Sequence, residues 1–262
     1  MSSVFDEIAE LYDRARPAYP PEVVDALVSA SGLTCGGRVL EVGPGTGQLT
    51  LPLARGGCAV TAVELGPRLA ALARRKLAPY PAAEIVVADF ARWPLPPEPF
   101  DALVSATAWH WIDAGVRTER AARALRPGGR LSLIVTHHVA GGTEEFFAEV
   151  QSLYERWDPA AVPGERLREP EAIPTDPAGR GDLADLAASA DFAAPVVRRF
   201  AREVTYTARQ YTDVLRTYSG TLRLGGDRRE GLLADIHDLI EAGHGGRVVK
   251  RYLHEVVTAE RR

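Results

Sequence analysis

The chain has 262 residues, 46% of them hydrophobic, with 31 basic and 35 acidic side chains for a formal net charge of −4. That length and apolar content suffice for a full core within one α/β domain. The near-neutral charge leaves no basic footprint for nucleic acid or an anionic membrane. Two cysteines without metal-ligand spacing, no apolar run of about 18 residues and no basic, apolar leader exclude a disulfide framework, a cysteine metal site and a membrane span; the expected setting is the cytoplasm.

In chain order, the first patterned segment is Tyr12-Asp13-Arg14-Ala15-Arg16-Pro17-Ala18-Tyr19-Pro20, a short helix expected to stop at Arg16-Pro17. A short apolar strand, Arg38-Val39-Leu40, then runs straight into Glu41-Val42-Gly43-Pro44-Gly45-Thr46-Gly47-Gln48, and a helical segment follows. Glycine at every second position permits a tight strand-to-helix turn and lets a ligand approach bare backbone. The spacing E-x-G-x-G-x-G is not the G-x-G-x-x-G of a dinucleotide site. A second strand, Ala59-Val60-Thr61-Ala62-Val63, ends in Glu64. An acid about 20 positions after the glycine turn, at a strand's carboxyl end, is placed to accept hydrogen bonds from ribose hydroxyls. A helix over residues 67–78 buries Leu69, Leu72, Ala73 and Leu77.

Strands are predicted at 84–88, leading into Asp89-Phe90, at 102–105, leading into Ala106-Thr107-Ala108-Trp109-His110-Trp111-Ile112-Asp113, and at 131–136 after the turn Leu125-Arg126-Pro127-Gly128-Gly129-Arg130. Alternating strands and helices require a parallel sheet with helices on both faces. The pattern then changes. Residues 142–157 carry Phe146, Phe147, Val150, Leu153 and Tyr154 at helical spacing, and residues 158–181 are rich in Pro, Gly and charge. A loop this long is functional or disordered; with the adjoining helix it is expected to be a substrate cap. A strand at 196–207, two helices and a final strand at 248–258 complete the chain. The basic cluster Arg198, Arg199 and Arg202 reads as a solvated strand face.

The glycine run with its flanks, Glu64 after the second strand, Asp89-Phe90 after the third, Phe100-Asp101 and His110-Trp111 around the fourth, and Leu125-Arg126-Pro127-Gly128-Gly129 before the fifth together resemble the class I S-adenosylmethionine (SAM) dependent methyltransferases. The similarity is to the small-molecule branch that holds the quinone C-methyltransferases and trans-aconitate methyltransferase. It covers residues 38–136 and extends to the segment from Tyr12 to Pro20. The resemblance implies a Rossmann-like, doubly wound α/β sheet of seven strands, its last strand antiparallel beside the fifth, with a helical lid insertion. One domain over 1–262 is expected: N-terminal helices over the cofactor (1–36), a SAM-binding core (37–138), a cap (139–195) and closing strands and helices (196–262).

By the same resemblance, Glu41, Gly43, Gly45, Gly47 and Gln48 lie against the methionyl part of SAM. Glu64 and Leu65 lie at the ribose, Asp89 takes the adenine amine, Phe90 packs on its ring, and Ser105 and Ala106 line the cofactor. Tyr12 and Arg16 are expected at the methionyl carboxylate, a group to which Arg is well suited. Methyl transfer from a sulfonium needs alignment more than a covalent nucleophile, and a base where the acceptor is protonated. His110, past the fourth strand's carboxyl end, is the first candidate base, and His137 and His138 are the second. His237, His244 and His254 are expected to have no catalytic part, and Tyr218, Ser219 and Thr221 lack a fixed direction. The expected partner is a small-molecule acceptor with an O, N or C nucleophile. No nucleic acid, membrane or metal is expected, and the chain is a monomer or homodimer. The alternative is a SAM-binding fold that catalyses a non-methylating reaction such as cyclisation, or serves a binding role. A nicotinamide oxidoreductase is disfavoured by the glycine spacing.

Overall fold

Short apolar strands separated by amphipathic helices can bury both sheet faces only as a doubly wound sheet, and the computed structural model, which describes residues 2–181 and 183–262, has that form. Seven strands lie in the order β3-β2-β1-β4-β5-β7-β6: β1 (Arg38–Val42), β2 (Ala59–Glu64), β3 (Ala83–Val87), β4 (Phe100–Ala106), β5 (Leu125–Gly142), β6 (Val196–Thr207) and β7 (Arg247–Glu260). The first five pair in parallel, whereas β7 is antiparallel to both β5 and β6, as the resemblance implied.

Helices α1 (Ser2–Glu7), α2 (Ala9–Ala15) and α3 (Pro21–Ala30) precede β1; α4 (Thr50–Arg55), α5 (Pro67–Leu77) and α6 (Ala114–Ala124) are crossovers. Proline at the first turn fixes the starts of α3 and α5. Arg74, Arg75 and Lys76 sit at the negative end of the α5 dipole. One core layer packs α3, α4 and α5 on Val39, Val60, Ala62, Ala102 and Val104. The other packs α6 on Leu40, Leu103, Leu131 and Leu133. A third apolar layer joins α7 (Glu144–Trp157) to α9 (Ala208–Leu215) and α11 (Gly226–Gly243).

Two boundaries differ from the sequence reading. Strand β5 starts at Leu125 rather than after the Pro-Gly-Gly turn. Phe100 pairs with Leu125 and Ala102 with Arg130, so the turn is a bulge inside the strand. Gly128 takes φ +72°, and a Cβ on Gly129 would lie 2.8 Å from the Arg126 carbonyl oxygen. At its other end β5 runs on to Gly142, paired with Lys250, so α7 starts two residues later than the apolar spacing suggests.

The larger correction concerns the cap. On β5, Thr136 and His138 face one side of the sheet and His137 and Val139 the other, as strand alternation requires. Residues 168–180 lie on the second side. Ile173 packs on Val139 and Leu253, Val139 bridges Arg168, and Arg180 and Arg199 both pair with the fully buried Glu255. Farther on, α8 (Ala184–Ala187) is tied to α6 through Arg117 and Asp185, 2.6 Å apart. The Pro/Gly-rich segment is thus held to the sheet by the buried Arg180–Glu255 ion pair and by Arg199 of β6, which donates to the Ile173 and Pro174 carbonyls, on the face away from Thr136 and His138. The helical cover on the cavity side comes from α7 and from α9, α10 (Ser219–Arg223) and α11.

Candidate active site

A cavity of about 1100 Å³ opens at the carboxyl ends of β1, β2 and β4 and continues along β5 and β7. This is the crevice in which open α/β sheets place ligands, and its volume lies just above the roughly 300–1,000 Å³ typical of small-molecule sites.

Glu41, at the end of β1, is 1% exposed. Burial pushes its carboxyl up to about 8, and the nearby Glu64 charge adds to the shift. Its Oε2 has no hydrogen-bond partner, nor has the buried Nε2 of Gln48. The glycines divide their tasks. Gly43 (φ +71°) allows the loop after β4 to come close, since a Cβ there would lie 2.4 Å from that of Ala108. Gly45 (φ +58°) faces the cavity. Gly47 (φ +88°) lies outside the cavity wall, where a Cβ would lie 3.5 Å from Ala73 on α5; it serves helix packing.

Glu64 receives the Gly45 amide on Oε2 at 2.9 Å and the Gly66 amide on Oε1 at 2.8 Å. Burial raises its pKa and these amides oppose the rise. The first helices are fastened beside it. Asp6 accepts from the Arg68 and Leu69 amides at the start of α5, at 2.7 and 3.0 Å, and Asp13 accepts from Thr46 in the glycine turn at 2.6 Å and from Lys76. Neither aspartate stood out in the sequence, because each acts across more than 30 positions.

Tyr12, Arg16, Leu65, Asp89, Phe90, Ala106, His110 and His138 also line the cavity. Ser105 and His137 do not. The Ser105 hydroxyl donates to the Val42 carbonyl at 2.8 Å and pins β4 to β1. His137 points to the opposite face, its Nε2 2.8 Å from Glu255. Asp89 Oδ1 takes the Ala91 amide at 2.9 Å. His110 lies in a single 3-10 turn, Trp109–Trp111, exposed at the mouth, its ring 4.7 Å from that of Trp111.

The inner end holds the candidate base His138 among groups to which the sequence reading gave no catalytic part or no direction. His254 lines the cavity, bonded through Nδ1 to Thr136 at 3.0 Å, and burial, with Arg202 beside it, lowers its pKa to about 4. Tyr19 meets Thr107 at 3.0 Å, and Thr107, at φ 54°, is the one described non-glycine residue in the left-handed region. Tyr218, Ser219 and Thr221 all face inward. Burial, then the charges of Lys250 and Arg16, hold His138 well below the usual histidine range.

A family model described as "Methyltransferase domain" matches residues 40–133, which carry the glycine turn, Glu64, Asp89 and His110. Over residues 40–133 the chain carries a methyltransferase domain of the class I, SAM-dependent type. An uncharacterized methyltransferase of Mycobacterium tuberculosis H37Rv is 39% identical over 134 residues, 51% of this chain and 52% of that protein; the chain thus spans about half the length of this curated relative. In fold, the chain is similar to the [4+2]-cyclase SpnF (TM-score 0.58, 19% identity, 99% of this chain and 95% of that one). It is also similar to phosphoethanolamine N-methyltransferase 2 of Haemonchus contortus, solved with phosphomonomethylethanolamine and S-adenosylhomocysteine (TM-score 0.53, 18% identity, 96% and 57%).

The family's cofactor is SAM, and the residues present fit it. Unpaired buried polar atoms of Glu41 and Gln48 border the same cavity as Gly45, whose bare Cα leaves 3.5 Å or more to its nearest neighbours even with a Cβ added. Among the described residues no group of three His, Cys, Asp or Glu side chains is placed to hold a metal ion, and no helix is long and apolar enough to cross a membrane.

Proposed function

We propose that this protein transfers the methyl group of SAM to a small-molecule acceptor held in the inner part of the cavity. The observation that carries the reading is the continuity of one cavity from the glycine turn to the β5–β7 face, with unpaired polar atoms at the first end and a tyrosine- and histidine-lined wall at the second. When bound, the cofactor supplies a methyl group on a positive sulfur with a neutral thioether as leaving group.

The chain's own task is orientation, which can contribute roughly 7–11 kcal/mol to lowering a barrier. In this reading Glu41, Gly43, Gly45 and Gln48 hold the amino-acid part, with Tyr12 and Arg16 at its carboxylate. Glu64 and Leu65 hold the ribose, Asp89 the adenine amine, and Phe90 its ring, while Ala106 closes the wall. The Arg16 guanidinium is already stacked over Tyr12 and Tyr218, at 5.1 and 4.5 Å. In this reading residues 2–36 cover the cofactor end, and α7 with α9–α11 covers the acceptor end.

For an acceptor that must lose a proton, His110 is the base. It opens onto the cavity, whereas His137 does not, and His138 lies beside two cations that oppose the proton a base must accept. Calorimetric titration with SAM, S-adenosylhomocysteine and NADH in parallel tests the cofactor. Micromolar binding of the two sulfur ligands alone supports the reading, and product mass after incubation with candidate acceptors tests the transfer. Absence of SAM binding overturns it.

A further inference from the structure

The inner end of the cavity holds a buried lysine without a carboxylate to balance it, with Arg16 and the ring of His138 beside it. Lys250, on the cavity-facing side of β7, is 3% exposed. Its Nζ lies 5.0, 5.5 and 5.6 Å from the ring centroids of Tyr218, Tyr211 and Tyr252. Arg16 gives one nitrogen to the Thr217 carbonyl at 2.7 Å, and its buried Nε has no partner. His138 packs on Tyr218 and Tyr252, with ring centroids 4.9 and 5.5 Å away. Among the described residues no carboxylate lies within ion-pair distance of Arg16, His138 or Lys250. Asp158, the acid that α7 brings to the wall, takes the Ala160 amide on its Oδ1.

The same wall supplies hydroxyls. Tyr206 meets Tyr252 at 2.9 Å and Tyr252 meets Tyr218 at 3.3 Å, a chain of phenols of which Tyr218 and Tyr252 line the cavity. A buried cation without a counter-charge is unfavourable, and a ligand of opposite charge completes such a site. One lysine behind two phenols neutralises a single charge, and the surrounding aromatic rings suit a flat or apolar body.

We propose that the acceptor is a small organic acid whose carboxylate seats on the hydroxyls of Tyr218 and Tyr252 and beside His138, with Lys250 behind them supplying the charge. The rest of the acceptor extends past His254 toward the glycine turn. This inference rests on the methyl-transfer reading of the cavity.

Burial, with the Arg16 charge, holds Lys250 down to about 7. A carboxylate at this wall therefore favours its protonated form, and binding takes up a proton near neutral pH. The groups facing Lys250 are Arg16 from the end of α2, His138 from β5, Tyr206 from β6, Tyr211 from α9, and Tyr218 and Tyr252. The phenols are all held above their ordinary range by burial and His138 is held well below its own, so Lys250, at about 7, is the group nearest to gaining the proton.

The experiment uses the full chain saturated with S-adenosylhomocysteine and titrates it with benzoate, benzamide and benzyl phosphate. Benzoate binding at least tenfold tighter than benzamide is expected. Its binding heat should vary with buffer ionisation enthalpy in the sense of proton uptake, and Lys250→Met should cost at least tenfold in benzoate affinity while S-adenosylhomocysteine affinity stays within twofold. Equal behaviour of the three probes, including no binding by any, overturns the proposal, as does a preference for benzyl phosphate or binding without proton exchange. The probe comparison and the proton count use the wild-type chain, so they decide the matter even if Lys250→Met does not fold. Failure of the wild-type chain to bind S-adenosylhomocysteine overturns the underlying methyl-transfer reading instead.

Discussion

The amide of Gly45 donates to Oε2 of Glu64 at 2.9 Å, so one carboxylate at the end of β2 clamps the glycine turn that follows β1. Its second oxygen holds the Gly66 amide at 2.8 Å. The carboxylate shapes the cavity wall as well as lining it. Glu64→Ala is expected to lose stability, at about 1.5–3 kcal/mol for each charge-assisted bond removed, and to lose at least tenfold in SAM affinity. Urea unfolding and calorimetry measure the two effects separately. Unchanged SAM affinity would place the cofactor elsewhere.

Gly43 and Gly45 share a left-handed backbone and differ in what stands before them. An alanine at 43 drives its Cβ to 2.4 Å from Ala108, whereas at 45 the nearest atoms are Gln48 Oε1 at 3.5 Å and Tyr12 Cε1 at 3.8 Å. Gly45→Ala should cost only the left-handed strain of about 1–2 kcal/mol yet weaken SAM binding strongly. Gly43→Ala should add overpacking of about 1–3 kcal/mol. Thermal unfolding with and without SAM separates them; equal loss of stability in both variants would contradict the assignment.

These residues show which parts of the site were legible. Glu41, the glycine turn and Glu64 could be read because each lies within a few positions of a strand end, where local pattern fixes direction. Tyr252 and His254 could not be placed. Which face of β7 meets the cavity depends on its register with β5, Thr136 opposite His254 and His138 opposite Tyr252, a relation across more than 100 positions. The same register turns His137 away from the cavity while its neighbour His138 lines it. The cap was misplaced for a related reason: residues 158–181 have no periodicity, and their seat is set by Arg180 and Arg199 meeting Glu255. The one hint was Lys250, a charged residue at an inward position among Val248, Tyr252 and His254.

Glu41 should make stability fall as pH rises. Its folded-state carboxyl is raised to about 8 by burial, from an ordinary 4.5. The contribution it makes is thus fully present below about 4.5 and is lost as pH rises through 8. By pH 7 this amounts to roughly 3 kcal/mol in favour of the unfolded chain. Glu41→Gln should therefore stabilise the SAM-free protein at neutral pH and flatten its stability between about pH 4.5 and 8, the unfolded and folded midpoints, while weakening SAM binding. Chemical unfolding across that range checks the slope; a variant less stable than the parent at pH 7 would refute the argument.

Glu255 works in the opposite sense. Burial alone would raise its carboxyl, but bonds from His137 and Arg180 outweigh burial and lower it to about 2. This contribution is present above about 4.5 and is lost as pH falls through 2. It links β7 to the segment around Arg180, on the sheet face away from the cavity. Glu255→Gln leaves the buried Arg180 guanidinium and the partly buried one of Arg199 facing a neutral amide, a loss of about 3–5 kcal/mol on removing one partner of a buried pair. Proteolysis within residues 158–181 should quicken while SAM affinity stays within a few-fold. A large loss of SAM affinity with an intact segment would mean that the two faces are coupled.

His110 and His138 both open onto the cavity, and their surroundings predict opposite responses to removal. His138 stands beside Lys250 and Arg16, which resist the proton a base must take, while His110 lies at the exposed mouth between Trp109 and Trp111. His110→Ala should lower kcat by about 10²–10⁴-fold, remove the acidic limb of the pH–rate profile and leave the SAM dissociation constant nearly unchanged. His138→Phe, which keeps the ring contacts with Tyr218 and Tyr252, should raise KM for the acceptor and keep the pH profile. The decisive measurement is kcat against pH for both variants with a single active acceptor. An unaltered profile in His110→Ala, with the limb lost in His138→Phe, would exchange the two roles and move the reacting proton to the inner wall.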